Sequence, residues 1–195
     1  MKTQVEPGDC LGRKLLIVGD VNTGKTTLTR KILDDFCARG LGPRIAVLDL
    51  APHISEQLAA QRGLRGVGGH LDAPPACAAL TIREQLEPPR LSSQTEAEAM
   101  QKAARNKTLI DAAWQRAEVG TRDMVLVNDI SMYVQAGSAD ELIARFASAD
   151  TVIANGYFGE RLGGGELTRH ERAQMERLRA WFYRAGSVVM LTKTF

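Results

Sequence analysis

Cysteine is scarce in this chain: Cys10, Cys37 and Cys77 are the only three in 195 residues, and no two form a C-x-x-C pair. That excludes a disulfide scaffold, and an odd number of scattered thiols suits reduced cysteines in a cytoplasmic setting. His53, His70 and His170 stand apart from one another and from the cysteines, so no Cys/His metal cluster can be read. No apolar run approaches the ~18–20 residues of a membrane span, and the N-terminal MKTQVEPGDCLGRK lacks the apolar centre of a secretion signal. No membrane association is expected. A surplus of charge is also missing, since 25 basic and 23 acidic residues leave a net charge of +2. No bulk field would recruit nucleic acid. What remains is ordinary globular composition, 44% hydrophobic and 25% charged, at a length that suits one domain spanning 1–195.

Short β-branched runs alternate with longer amphipathic ones. Residues 14–19 (KLLIVG) form a continuous apolar run closed by glycine, the pattern of a buried parallel strand. Residues 26–39 place Leu28, Ile32 and Phe36 at helical spacing, with Gly40 as a stop. Strands are expected again at 44–50 (RIAVLDL), 123–129 (DMVLVND), 151–155 (TVIAN) and 187–192 (SVVMLT). Helices are expected at 54–62, 94–118, 138–148 and 168–185, the last three opened by the S/T-x-x-E spacings Thr95/Glu98, Ser138/Glu141 and Thr168/Glu171. Trp114, Trp181 and Tyr183 are assigned to packing on these helices. Between 63 and 93 the regularity fails in GLRGVGGH, APP and EPPR, and an irregular, lid-like excursion is expected there. Such alternation predicts an α/β three-layer sandwich, a mostly parallel sheet of at least five strands with helices on both faces.

One motif carries chemistry with high specificity. Residues 19–26 read GDVNTGKT, a complete G-x-x-x-x-G-K-[ST], set between an expected strand and an expected helix as its mechanism requires. Glycines permit the tight turn, and successive backbone N–H groups with the helix N-terminus cradle a phosphate. The candidate nucleotide-binding residues are Gly19, Asp20, Val21, Asn22, Thr23, Gly24, Lys25, Thr26 and Thr27. Lys25 would reach the β/γ oxygens, and the Thr26 hydroxyl would ligate Mg²⁺.

On these residues the chain resembles the P-loop NTPase superfamily over nearly its whole length. The resemblance implies an acid at a strand end to organise the metal, and Asp129, after the apolar run 124–127, fits it; its neighbour Asn128 could supply a further oxygen. Asp49 in VLDLAPH is similar to the acid of the SIMIBI class, which includes chromosome-partitioning ATPases and dethiobiotin synthetase. There it would meet Mg²⁺ or the attacking water, although Ala51 stands in place of the class's second Asp. Asn155 is the candidate base contact. LTKTF resembles the guanine motif T-K-x-D, but Phe195 replaces the Asp, which favours ATP and leaves GTP open. Among arginines, Arg83, Arg90, Arg161, Arg169 and Arg172 are candidates for the γ-phosphate. LDLAPHISE and VNDISMYVQAG are distantly similar to segments of the polynucleotide 5′-hydroxyl kinases.

These observations predict a catalytic set of Lys25, Asp49 and Asp129 and a metal set of Thr26, Asp49 and Asp129. The function expected is Mg-dependent ATP binding and hydrolysis as a switch read by a protein partner or a second copy of the chain. A phosphotransferase, and a nucleotide-binding module without turnover, are the alternatives.

Overall fold

The computed structural model describes residues 5–61, 63, 69–82, 85–116 and 122–192. Six parallel strands make one sheet: β1 (Lys14–Gly19), β2 (Ile45–Asp49), β3 (Ala78–Thr81), β4 (Met124–Asn128), β5 (Thr151–Tyr157) and β6 (Ser187–Leu191), in the order β3-β2-β4-β5-β1-β6. Helices α1 (Lys25–Ala38), α2 (Glu56–Gln61), α3 (Pro89–Ser92), α4 (Glu96–Arg116), α5 (Ser131–Val134), α6 (Ala139–Ala147) and α7 (Glu166–Ala185) fill the connections.

Side chains alternate across each strand, so the sheet has two apolar faces. Leu15, Ile17, Val47, Leu126 and Ile153 pack with Ile32, Leu33 and Phe36 of α1. Leu16, Val18, Leu48, Val127 and Ala154 pack with residues of α4, α5, α6 and α7. This is the expected three-layer α/β arrangement. On the second face Phe146 is fully buried, its ring centroid 5.7 Å from Trp114 and 5.9 Å from Phe182. Phe146→Ala is expected to cost about 3–5 kcal/mol in a denaturant titration, the usual range for an aromatic truncated in a core.

Of the stretch 63–93, expected to be irregular, residues 64–68, 83 and 84 lie outside the described residues, and two short elements occur among the rest. Strand β3 lies within it and pairs in parallel with β2, Ala46 opposite Ala78 and Asp49 opposite Thr81. An edge strand written AALT buries little and carries almost no apolar alternation, so it leaves no pattern to read. Pro88 and Pro89, taken as breakers, instead open the single turn α3, where a missing N–H is harmless.

Helix starts differ too. Ser138 and Glu141 form the full capping box of α6. Helix α7 begins at Glu166 rather than Thr168, and the carboxylate of Glu96 accepts a hydrogen bond of 2.9 Å from the Leu167 N–H. A cap supplied from another helix needs no local box. Tyr183 is 60% exposed and does not join the core, while Trp114 is buried and Trp181 half-buried. The sulfurs of Cys37 and Cys77, distant in sequence, lie 3.5 Å apart as free thiols.

Because every strand is parallel, the carboxyl ends of β1, β2, β4 and β5 share one edge of the sheet. Strand β5 separates β1, which leads into the glycine loop, from β4, which carries Asn128.

Candidate functional site

The loop after β1 is held open by its own backbone. Gly19 is required by contact, since a Cβ there would collide with the Leu191 carbonyl and the Thr23 hydroxyl. Asn22 (φ 57°) and Gly24 (φ 88°) take left-handed conformations, which asparagine and glycine tolerate best. The Asp20 carbonyl accepts from the Thr23 hydroxyl at 2.9 Å and from the Lys25 ammonium at 2.7 Å, and the Asp20 carboxylate accepts from the Val21 N–H at 2.6 Å. No side chain caps the start of α1 at Gly24. The N–H groups of its first turn therefore form an electropositive end, the usual cradle for a phosphate.

Beneath the loop lies a floor of buried amides. The Asn128 carbonyl oxygen accepts from the Thr26 hydroxyl at 3.2 Å and from the Asn155 amide at 2.9 Å. The Asn128 amide donates to Asp49 Oδ1 at 2.6 Å and to the Gly69 carbonyl at 3.0 Å. Asn155 donates also to the Thr29 hydroxyl at 2.9 Å, and its Oδ1 accepts from the Asp129 N–H at 3.1 Å. One network thus ties the ends of β2, β4 and β5 to helix α1.

Asp129 lines the cleft in a left-handed conformation, φ 60°. Its carboxylate accepts from the Ser131 hydroxyl. Burial pushes the Asp129 carboxyl above the usual carboxylate range, against the pull of the Ser131 hydrogen bond and the Lys25 charge. Burial likewise lowers Lys25, while Asp129 and Asp20 favour its charged form. Both groups line a cleft of about 340 Å³. Residues 21–27, Ala51, Gly69, Asn128, Asp129, Asn155, Tyr157 and Leu162 line it.

Of the residues expected from sequence, the structure brings Lys25, Thr26, Asp129 and Asn155 together. Asp49 sits behind them. It is 3% exposed, its oxygens accept from Asn128, Ala51 N–H and Leu71 N–H, and it borders a separate hollow with His70. Asn155, expected at the base, lies instead beneath the glycine loop, engaged with Thr29, Asn128 and Asp129. Lys193, Phe195 and Arg83 fall outside the described residues. Arg161, Arg169 and Arg172 are exposed, Arg172 stacking over Phe158 at 4.8 Å.

Arg90 is different. Its guanidinium pairs with the buried Glu171 at 2.5 Å, donates to the Thr168 hydroxyl at 3.3 Å and lies 5.6 Å from the centre of the Tyr157 ring. The pair joins residues 81 apart in sequence, which no local spacing could announce. Burial pushes the Glu171 carboxyl up to about 7, with Arg90 pulling the other way. A carboxyl raised in the folded state holds its proton more tightly than in the unfolded chain. Stability tied to it is complete below the ordinary glutamate range and is lost as pH rises through about 7. The unliganded protein is expected to be less stable near pH 8 than near pH 5, with Glu171 contributing about 3 kcal/mol of that slope. Glu171→Gln should flatten the slope in thermal melts, and a variant that keeps it would place its origin elsewhere.

Among the described residues no group of three His, Cys, Asp or Glu side chains could hold a metal ion alone. Mg²⁺ does not ask for one, since it commonly keeps waters and takes few protein ligands beside substrate phosphates. A hydroxyl at Thr26 backed by the neutral oxygen of Asn128 fits that habit.

No protein-family model and no curated protein matches the chain. Among solved structures, it is similar to the flagellar accessory protein FlaH from Methanocaldococcus jannaschii, at TM-score 0.51 and 14% identity over 95% of this chain and 74% of that one. The fold is the P-loop NTPase fold. Pif1 helicase from Candida albicans matches at TM-score 0.38 and 16% identity, over 94% of this chain and 37% of that one, too loosely to bear on function. No helix among the described residues is long and apolar enough to cross a membrane.

Proposed function

We propose that the chain binds a Mg-nucleoside triphosphate, ATP in preference to GTP, and cleaves its γ-phosphate. The observation that carries this reading is a lysine-closed loop lining a cleft that a buried acid also lines. Lys25 holds the Asp20 carbonyl where an anion is absent, and an incoming phosphate offers its ammonium a charged partner instead. Backbone N–H groups of residues 22–27 surround the β-phosphate. Thr26 would hold Mg²⁺, with Asn128 orienting its hydroxyl, and the ion would neutralise charge on the β- and γ-oxygens. Asp129 would orient the attacking group and take its proton.

The SIMIBI reading needs Asp49 in the cleft, and its hydrogen bonds to Asn128, Ala51 and Leu71 hold it behind the floor. We therefore propose Asp49 as a positioning residue that acts through Asn128. A switch read by a protein partner or by a second copy of the chain remains the role proposed for the cycle.

Titration of Mg-ATP and Mg-GTP, following binding by calorimetry and phosphate release together, tests this. ATP binding with slow turnover is expected. Absence of binding to either nucleotide would remove the proposal, and tighter GTP binding would reverse the base preference.

A further inference from the structure

Behind the cleft lies a second chamber that the nucleotide reading does not use. It shares Asp129, Tyr157 and Leu162 with the cleft, so the two adjoin beside the acid. Its volume is about 60 Å³, room for about four water-sized groups. Pro52, Ile54, Leu91 and Met132 make its walls apolar.

The polar groups in it are unequal. Arg90 lines the chamber, and above about pH 7, where Glu171 is ionised, its charge is met by that carboxylate, so the space is then not built to recruit an anion. Gln135 is 3% exposed, its amide nitrogen donates to the Met132 sulfur at 3.8 Å, and its side chain also reaches the Glu171 carboxyl. Its Oε1 has no hydrogen-bond partner. A buried acceptor left without a donor costs about 1–3 kcal/mol, and a ligand that supplies the donor recovers it. Asp129 is a second acceptor at the chamber's mouth. Two acceptors, apolar walls and a neutralised arginine select a neutral group that donates hydrogen bonds from a short apolar stem.

We propose that this chamber is an acceptor subsite for a neutral diol, one hydroxyl donating to Gln135 Oε1 and the other to the Asp129 carboxylate, and that the chain transfers the γ-phosphoryl group of ATP to the hydroxyl at Asp129. The alcohol oxygen forms a bond to Pγ as the bond from Pγ to the β,γ-bridging oxygen breaks. ADP leaves with that electron pair, and the hydroxyl proton passes to the Asp129 carboxylate. This rests on the nucleotide reading above and names the substrate class of the same site.

The test supplies Mg-ATP at pH 8 with 1,2-propanediol, with 1-butanol as the one-hydroxyl comparison and glycolate as the anionic comparison, and follows products by phosphorus NMR. Alkyl phosphate from the diol is expected, at least about ten-fold above that from 1-butanol or glycolate, the ratio that 1.4 kcal/mol of selectivity gives. Gln135→Leu is expected to lower alkyl phosphate by about ten-fold at fixed alcohol. Ile54→Trp, at a half-buried wall position, fills the chamber and should abolish the product even if the glutamine variant fails to fold. Inorganic phosphate alone from protein that binds ATP would overturn the acceptor proposal and leave the nucleotide reading standing, and so would equal use of 1-butanol or glycolate. Failure to bind ATP at all would sink both.

Discussion

Lys25→Ala is expected to weaken Mg-ATP binding and to slow phosphate release by on the order of 10²–10³-fold, the usual loss when one charge-bearing donor to a developing oxyanion is removed. The side chain is the cation at the head of the cleft, and its hydrogen bond to the Asp20 carbonyl shows that it bends back over the loop rather than into solvent. Nothing else among the described loop residues offers a formal positive charge to the phosphates. The alanine variant keeps the backbone cradle, so residual weak binding is expected, not none. Calorimetric titration of both proteins measures it. Affinity equal to that of the unaltered chain would mean the loop does not hold the nucleotide.

Asp129→Asn separates binding from chemistry. Turnover is expected to fall by about 10²–10⁴-fold, the range for loss of a positioned acid–base group, with nucleotide affinity retained. Asparagine is the right substitution because the residue sits at φ 60°, a conformation asparagine accepts and alanine resists. The amide also keeps an oxygen for the Ser131 hydroxyl. A variant that binds and turns over as before would remove Asp129 from the reaction.

Much of this was legible in the residues. The loop is readable because its chemistry demands glycines and a lysine at fixed separations, and β1, β2 and β4 because a strand buried on both faces must be apolar throughout. Position at a strand end was legible as well, which is why Asp49 and Asp129 both stood out. Side-chain direction was not. Asp49 and Asn128 are register partners across β2 and β4, yet one turns behind the floor and the other meets Thr26, 102 residues away. Asn155 sits beneath the phosphate end, drawn there by partners on α1 and β4 that no local pattern reveals. Arg90 drew notice only as one arginine among several, and its distinction lies in Glu171 on a distant helix. Strand β3 escaped because two alanines, a leucine and a threonine write no alternation.

The amide floor bears on how the cleft responds to a ligand. Asp49, Asn128, Asn155, Thr29 and Thr26 are ordered by one another, so their rotamers are fixed when the chain folds and not when a nucleotide arrives. Association then pays conformational entropy only for the residues above the floor. Amide hydrogens at the ends of β4 and β5 should exchange at the rate of global unfolding with or without nucleotide, while those of the loop from Asp20 to Thr27 slow on binding. The phosphate cradle is a rigid base with a responsive rim.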